Sequence, residues 1–158
     1  SVIETHAISQ QKEARDFACT LLIAVLTPSF IAALQIGDGA IVGMNSETMT
    51  RLSQAAHGEY ASETVFVTSQ DYLEHCSCVV IPSENLTGLA LFTDGLEPVA
   101  MNLQTGEPFA PFFNPLFRFA CSEKDIYEKS QTLSEFLASE RISQRTHDDK
   151  TLVLAVRS

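Results

Sequence analysis

Short apolar runs separated by polar turns dominate the first part of the chain. The first two runs, at residues 17–26 and 30–36, flank a Thr27-Pro28-Ser29 turn and predict a β-hairpin whose strands are buried on both faces. Further runs predict strands at residues 40–44, 64–68, 76–81 and 86–93. The last two of these runs are expected to pair with each other. Strands that follow one another through short turns indicate antiparallel sheets.

The spacing of apolar residues becomes typical of helices after residue 94. Leu96, Val99 and Leu103 recur at helical intervals, with Pro98 acceptable only in a first turn. A second, amphipathic helix ends near Ala138 and carries its apolar face on Ile126, Leu133, Phe136 and Leu137. Residues 151–156 predict a final buried strand. The chain is therefore expected to be an α+β domain in which two packed antiparallel sheets are flanked by helices.

A cluster of aromatic residues lies among prolines at residues 104–119, between the two predicted helices. Its members are Phe109, Phe112, Phe113, Phe117 and Phe119. Such a cluster is typical of a helix that packs on a sheet, and it can also form the rim of a binding site. The sequence leaves both interpretations open.

Length and charge limit the possible functions. The 158 residues have the length of a single domain, and we treat 1–158 as one unit. Twenty Asp and Glu against ten Lys and Arg give a net charge of −10, which argues against binding to nucleic acid. No apolar run approaches the roughly 20 residues of a membrane span. The first residues lack the features of a signal peptide, so a cytoplasmic location is expected.

Three aspartates stand where predicted strands begin or end. Asp38 lies between Gly37 and Gly39, Asp94 precedes Gly95, and Asp148 leads into the last strand. Each position has a plain structural explanation, because Asp-Gly pairs favour hairpins and tight turns and acidic residues suit solvated turns. A carboxylate at a strand end is also held rigidly with its oxygens exposed, which suits a binding site.

A metal ion would explain the three acids together. Two carboxylates about 5 Å apart repel by roughly 3 kcal/mol at an effective dielectric near 20, so a cluster of such groups needs protons or a cation. Mg²⁺ and Mn²⁺ prefer oxygen ligands and commonly retain water, so a few carboxylates suffice. Spacing along the chain does not by itself bring the three residues together.

The order of these motifs resembles the metal-dependent Ser/Thr protein phosphatases of type 2C. The motifs are Gly37-Asp38-Gly39, Thr93-Asp94-Gly95-Leu96 and Asp148-Asp149-Lys150-Thr151, each next to an apolar strand. The apolar segments at residues 18–22 and 151–156 resemble the bacterial branch of the family. The resemblance covers most of the chain from about Ala14.

The resemblance implies two antiparallel sheets flanked by helices, with a two-metal Mn²⁺ or Mg²⁺ centre at one end. Asp94 and Asp148 would be metal ligands, and Asp38 would lie near the centre and assist a further ion. Gly95 and Asp149 would support the site by shaping its loops. In this family a metal-activated water attacks the phosphorus of a phosphoserine or phosphothreonine in a protein substrate, without a phosphoenzyme. A partner kinase or regulatory domain would complete the signalling system.

The chain departs from the family pattern in two respects. It has no counterpart to the family's upstream metal-bridging Asp-Gly motif, early acidic residue and phosphate-binding arginine, so we expect an N-terminal portion to be absent. Pro98 stands where many relatives carry another acid, and Glu97 is out of register with it. A further metal site is therefore not expected there.

Three functional interpretations follow from the sequence. The first is a metal-dependent protein phosphatase, and the second is a catalytically inactive relative that acts as a binding or regulatory module. The third is a β-rich domain in which the acids are only turn residues. A phosphatase should need a divalent ion for turnover and lose turnover when Asp94 is neutralised, whereas a binding module should keep its affinity for its partner. If the acids are only turn residues, neutralising Asp94 and Asp148 should leave the affinity for divalent ions unchanged.

Overall fold

A computed structural model describes residues 2–45, 48–53 and 64–157. Within these ranges the strands are β1 (Leu21–Leu26), β2 (Phe30–Ile36), β3 (Ala40–Asn45), β4 (Met49–Arg51), β5 (Ser77–Pro82), β6 (Leu86–Phe92) and β7 (Leu152–Val156). The α-helices are α1 (Val2–Ser9), α2 (Glu97–Ala100), α3 (Ala110–Ala120), α4 (Ile126–Ala138) and α5 (Glu140–Ser143). Short 3-10 helices lie at Ala14–Phe17 and Asp94–Leu96.

The strands form two sheets, in the orders β1-β2-β5 and β4-β3-β6-β7, and every strand pair is antiparallel. The predicted fold class and the β1–β2 hairpin are confirmed. The predicted pairing of β5 with β6 is wrong, because β5 pairs with β2 whereas β6 lies between β3 and β7. The turn at residues 37–39 is also not a hairpin, since it carries the chain from one sheet to the other.

Strands β3 and β6 form the centre of the molecule and are packed on both faces. Ile41 and Leu89 face the first sheet and pack with Ile31 and Ala33 of β2. The alternate residues of the same strands face the helices in a second cluster, which includes Ala40, Val42, Ala90, Phe92, Phe113 and Phe117. The alternation arises because successive side chains on a strand point to opposite faces. The second sheet therefore has an apolar layer on each of its faces.

The first sheet differs from the prediction on its outer face. Strand β1 contains no fully buried residue, and Val25 is 49% exposed, so the expected burial on both faces is wrong. Among the described residues, those of α1 approach only one end of this face, where Ile3 shares a cavity with Leu21 and Ile36. The segment at residues 64–68 is also not a strand, although Val65 is buried.

The helices after β6 agree with the pattern in part. Pro98 lies in the first turn of α2, as predicted, but that helix ends at Ala100, and Leu103 lies beyond it and is exposed. Helix α4 has the predicted end at Ala138, and Asp125 caps its start by accepting a hydrogen bond from the Tyr127 amide (2.8 Å). Within the described ranges, no helix has the length and apolar character that crossing a bilayer requires.

The contacts of α3 predict which aromatic side chains stabilise the fold. Phe113 is fully buried, and its ring centroid lies 5.7 Å from that of Phe92 and 6.2 Å from that of Phe117. We expect Phe113→Ala to reduce the free energy of unfolding by about 3–5 kcal/mol, because it leaves a cavity in the layer between sheet and helices. Phe109→Ala removes a ring that is 46% exposed and should cost far less. Urea unfolding of both variants measures the difference, and equal losses would contradict this packing.

Candidate functional site

The turn that carries Asp38 lies against the end of β6. Gly39 has a φ of 88°, a conformation that favours glycine. A Cβ atom on Gly39 would lie 2.5 Å from the carbonyl oxygen of Phe92 and 3.3 Å from the Thr93 Cα. The missing side chain thus lets the Asp38 turn approach the residues that immediately precede Asp94.

A second close approach brings the Asp148 loop to Asp94. A Cβ atom on Gly95 would collide with the carbonyl oxygen of Asp149 and lie 3.3 Å from the Cβ of Asp148. Thr93 joins the same two segments, because its amide donates to the Thr151 carbonyl (3.2 Å) and its hydroxyl accepts from the Thr151 amide (3.0 Å). Asp94 and Asp148 therefore lie side by side at one end of the second sheet.

Each of these two carboxylates is oriented by the backbone that follows it. The Gly95 amide donates to Oδ1 of Asp94 (2.8 Å), and the Asp149 amide donates to Oδ1 of Asp148 (2.9 Å). Both aspartates are exposed at the surface. One oxygen of each carboxylate is thus held by the chain while the group remains open to solvent.

The negative charges of Asp38 and Asp148 affect the pKa of Asp94. Desolvation raises the pKa of Asp94 above its ordinary value, and the negative charges of Asp38 and Asp148 raise it further, while the Gly95 hydrogen bond lowers it in part. The structure therefore places the predicted acids in one electrostatic cluster. Their role as metal ligands stays a prediction.

A buried polar network holds the Asp38 turn from below. Gln35 is 1% exposed, and its Nε2 donates to the carbonyls of Gly37 (2.9 Å) and Gly39 (3.0 Å), on either side of Asp38. The Oε1 of Gln35 accepts a hydrogen bond from the Ser53 hydroxyl, which in turn accepts one from the Ile41 amide (3.1 Å). Because these groups are buried and satisfied, the network fixes the turn in one conformation.

Arg51 and Thr64 connect the turn to its surroundings. Arg51 donates to the Gly39 carbonyl (2.9 Å) and forms an ion pair with Glu97 (3.5 Å), in the helix that follows Asp94. The Thr64 hydroxyl donates to Oδ2 of Asp38 (2.9 Å), which orients that carboxylate. These side chains therefore tie the Asp38 and Asp94 segments together.

The donor chemistry of the cluster suits a hard divalent cation. Asp94 and Asp148 offer exposed carboxylate oxygens, which Mg²⁺ and Mn²⁺ prefer. No group of three acidic, His or Cys side chains in the described ranges is arranged to hold one ion. An ion held by Asp94 and Asp148 would therefore take most of its remaining ligands from water, as Mg²⁺ commonly does.

The two antiparallel sheets, the helices beside them and the acidic cluster at one end define the class of an α+β sandwich with a candidate metal site. The sequence model of the family described as Protein phosphatase 2C matches residues 1–138, and the chain belongs to this family. Metal dependence is a general property of that family.

A curated relative supports this assignment, and solved structures share the fold. The chain is 33% identical over 153 residues to Serine/threonine-protein phosphatase 3 of Escherichia coli, a match that covers 96% of this chain and 60% of that protein. It is similar in fold to the serine/threonine phosphatase Stp1 of Staphylococcus aureus, with a TM-score of 0.62, 15% identity and coverage of 99% and 63% of the two chains. A bacterial serine phosphatase gives a TM-score of 0.61 at 14% identity, with coverage of 98% and 64%. The chain thus spans less than two thirds of these proteins.

The supporting residues divide into those that the sequence predicted and those that it missed. Gly95 was predicted to shape a loop of the site. The Asp149 carbonyl lies where a side chain on Gly95 would be, so the close approach of the two loops requires a glycine at this position. Gln35, Arg51 and Thr64 were missed. Gln35 carries a detectable signal, because it is the polar residue in the apolar run of β2, two positions before the Gly-Asp-Gly turn. Arg51 and Thr64 reach the site only through tertiary contacts.

The raised pKa of Asp94 predicts how stability changes with pH in the absence of metal. Its carboxylate is charged more readily in the unfolded chain, near the reference pKa of 3.8, than in the folded protein. The resulting penalty on folding is fully present above the folded pKa and disappears as the pH falls through it. Asp94→Asn should therefore raise the Tm at pH 7 in EDTA by about 1–2 °C after solvent screening is allowed for. The gain should shrink towards pH 4.

Asp149→Asn is the matched control for this measurement. Asp149 is adjacent to Asp148, but its charge is not among those that raise the pKa of Asp94. Its neutralisation should produce a smaller change in Tm that lacks the same dependence on pH. Destabilisation by Asp94→Asn at every pH in EDTA would contradict mutual repulsion within the cluster.

Proposed function

We propose that this chain forms the larger part of a metal-dependent protein phosphatase that hydrolyses phosphoserine or phosphothreonine in protein substrates. The observation that carries the proposal is the electrostatic cluster of Asp38, Asp94 and Asp148 at one end of the sandwich. Membership of the protein phosphatase 2C family and the similarity to the Escherichia coli phosphatase support it. Mn²⁺ or Mg²⁺ is the proposed cofactor.

In this proposal Asp94 and Asp148 bind the metal and Asp38 lies beside it. The amides of Gly95 and Asp149 orient the two binding carboxylates. Gln35 and Thr64 hold Asp38, so its carboxylate keeps one position when the charges beside it change. When bound, divalent ions supply positive charge to the phosphoryl oxygens and lower the pKa of the attacking water. The chain contributes rigid positioning of carboxylates in a partly desolvated site.

A binding or regulatory module is the second candidate function. It is favoured by the arrangement of the acids, since no three ligand side chains among the described residues are placed to share an ion. Such a module would bind a phosphorylated protein without turning it over. The whole protein's substrates and partners belong to the same proposal, because this chain spans 60% of its Escherichia coli relative.

Phosphate release from a phosphothreonine peptide tests the catalytic proposal. Activity should require Mn²⁺, and Asp94→Asn and Asp148→Asn should each reduce kcat/KM by at least about 100-fold, because each removes metal-dependent stabilisation of the transition state. Glu123→Gln, which neutralises an exposed carboxylate between α3 and α4, is the matched control and should retain activity.

Two other outcomes would contradict the proposal, the first in its catalytic part and the second in its choice of metal ligands. Peptide binding without phosphate release would favour the binding module. Mn²⁺-dependent turnover that both Asp variants retain would show that the metal binds elsewhere. Calorimetric titration of the unaltered chain and the three variants with Mn²⁺ distinguishes a loss of metal binding from a loss of substrate binding.

A further inference from the structure

A half-open groove of about 470 Å³ lies between helices α3, α4 and α5, and none of the three aspartates lines it. Its walls are mainly apolar and include Val99, Phe109, Phe112, Leu116, Leu133 and Phe136. The volume falls in the range of roughly 300–1,000 Å³ that is typical of small-molecule sites. The groove is therefore large enough for a ligand, and its walls favour an apolar one.

The aromatic residues of the segment 104–119 lie in two places. Phe113 and Phe117 are buried in the layer against the second sheet. Phe109 and Phe119 line the groove outside that layer, and Phe109 remains 46% exposed. Phe112 lines the groove and also packs against the layer. Part of the aromatic lining of the groove is thus additional to the rings that pack the fold.

Two arginines, Arg141 and Arg145, also line this otherwise apolar groove. Both are exposed, and neither guanidinium group forms a hydrogen bond, ion pair or ring contact with another described residue. The remaining basic side chains each have such a partner in the described chain: Lys12, Arg15, Arg51, Arg118, Lys124, Lys129, Lys150 and Arg157. The two guanidinium groups that have no partner within the described ranges therefore line the same groove.

We propose that this groove binds a small amphipathic carboxylate, with its hydrocarbon tail between α3 and α4 and its head at Arg141 and Arg145. The apolar walls match the tail, and the two guanidinium groups supply donors that suit a carboxylate. Local charge complementarity selects the head group, because Arg141 and Arg145 are the charged side chains that line the groove. An amphiphile with a cationic head would be repelled at this position.

Calorimetric titration of the whole chain with decanoate, in buffer without divalent ions, tests the proposal. One decanoate should bind per chain, and octanoate should bind about ten-fold more weakly, since it buries two fewer methylene groups. Decylammonium, which has the same tail and the opposite charge, should bind more weakly than decanoate. The test does not depend on phosphatase activity.

Three variants locate the binding site. Thr132→Trp places a large ring in the groove from α4 and should abolish decanoate binding. The double variant Arg141→Gln/Arg145→Gln should weaken the binding of decanoate about five- to ten-fold, because it removes only the charged contacts. It should not weaken the binding of decylammonium. Arg118→Gln, on α3 outside this groove, is the matched control and should bind as the unaltered chain does.

Several results would overturn the proposal. These are the absence of saturable decanoate binding, equal affinity for decylammonium, and binding that Thr132→Trp leaves unchanged. Thermal unfolding of each variant shows whether it is folded. If Thr132→Trp does not fold, the double arginine variant decides the question alone, and unchanged decanoate affinity in that variant would refute the proposed head-group contact.

Discussion

The acidic end of the sandwich depends on two places where backbone meets backbone with no side chain between them. Gly39 lets the Asp38 turn lie against the end of β6, and Gly95 lets the Asp148 loop lie against the start of the next helix. A methyl group at either position would force the segments apart. The convergence of the three acids is therefore a packing property of glycines, and the carboxylates themselves oppose it by repulsion.

The rest of the fold supplies the rigidity that such a cluster needs. Strands β3 and β6 are packed between the first sheet and the helices, so the ends that carry the acidic turns are fixed by apolar layers on both sides. Gln35 extends this support into the Asp38 turn through buried hydrogen bonds. The raised pKa of Asp94 implies that the clustered charges oppose folding above that pKa. A divalent cation would remove that penalty.

The sequence predicted local structure better than strand partners. Helix α4 and the acids at strand ends follow from periodicity and turn chemistry, which are properties of neighbouring residues. The apolar runs of β5 and β6 indicated burial, but burial does not determine which sheet a strand joins, so their predicted pairing was wrong. The Gly37-Asp38-Gly39 turn has the composition of a hairpin and instead crosses between sheets. Arg51 and Thr64 could not be assigned to the site from sequence, because only tertiary packing brings them to it.

The most direct test of this account is an anomalous diffraction map from crystals of the chain soaked in Mn²⁺. The account predicts a manganese peak coordinated by carboxylate oxygens of both Asp94 and Asp148, at the distance of about 2.1 Å that is typical of small hard divalent ions, with Asp38 beside it. A peak at other residues, or no peak at saturating Mn²⁺, would contradict the claim that these acids form a metal centre.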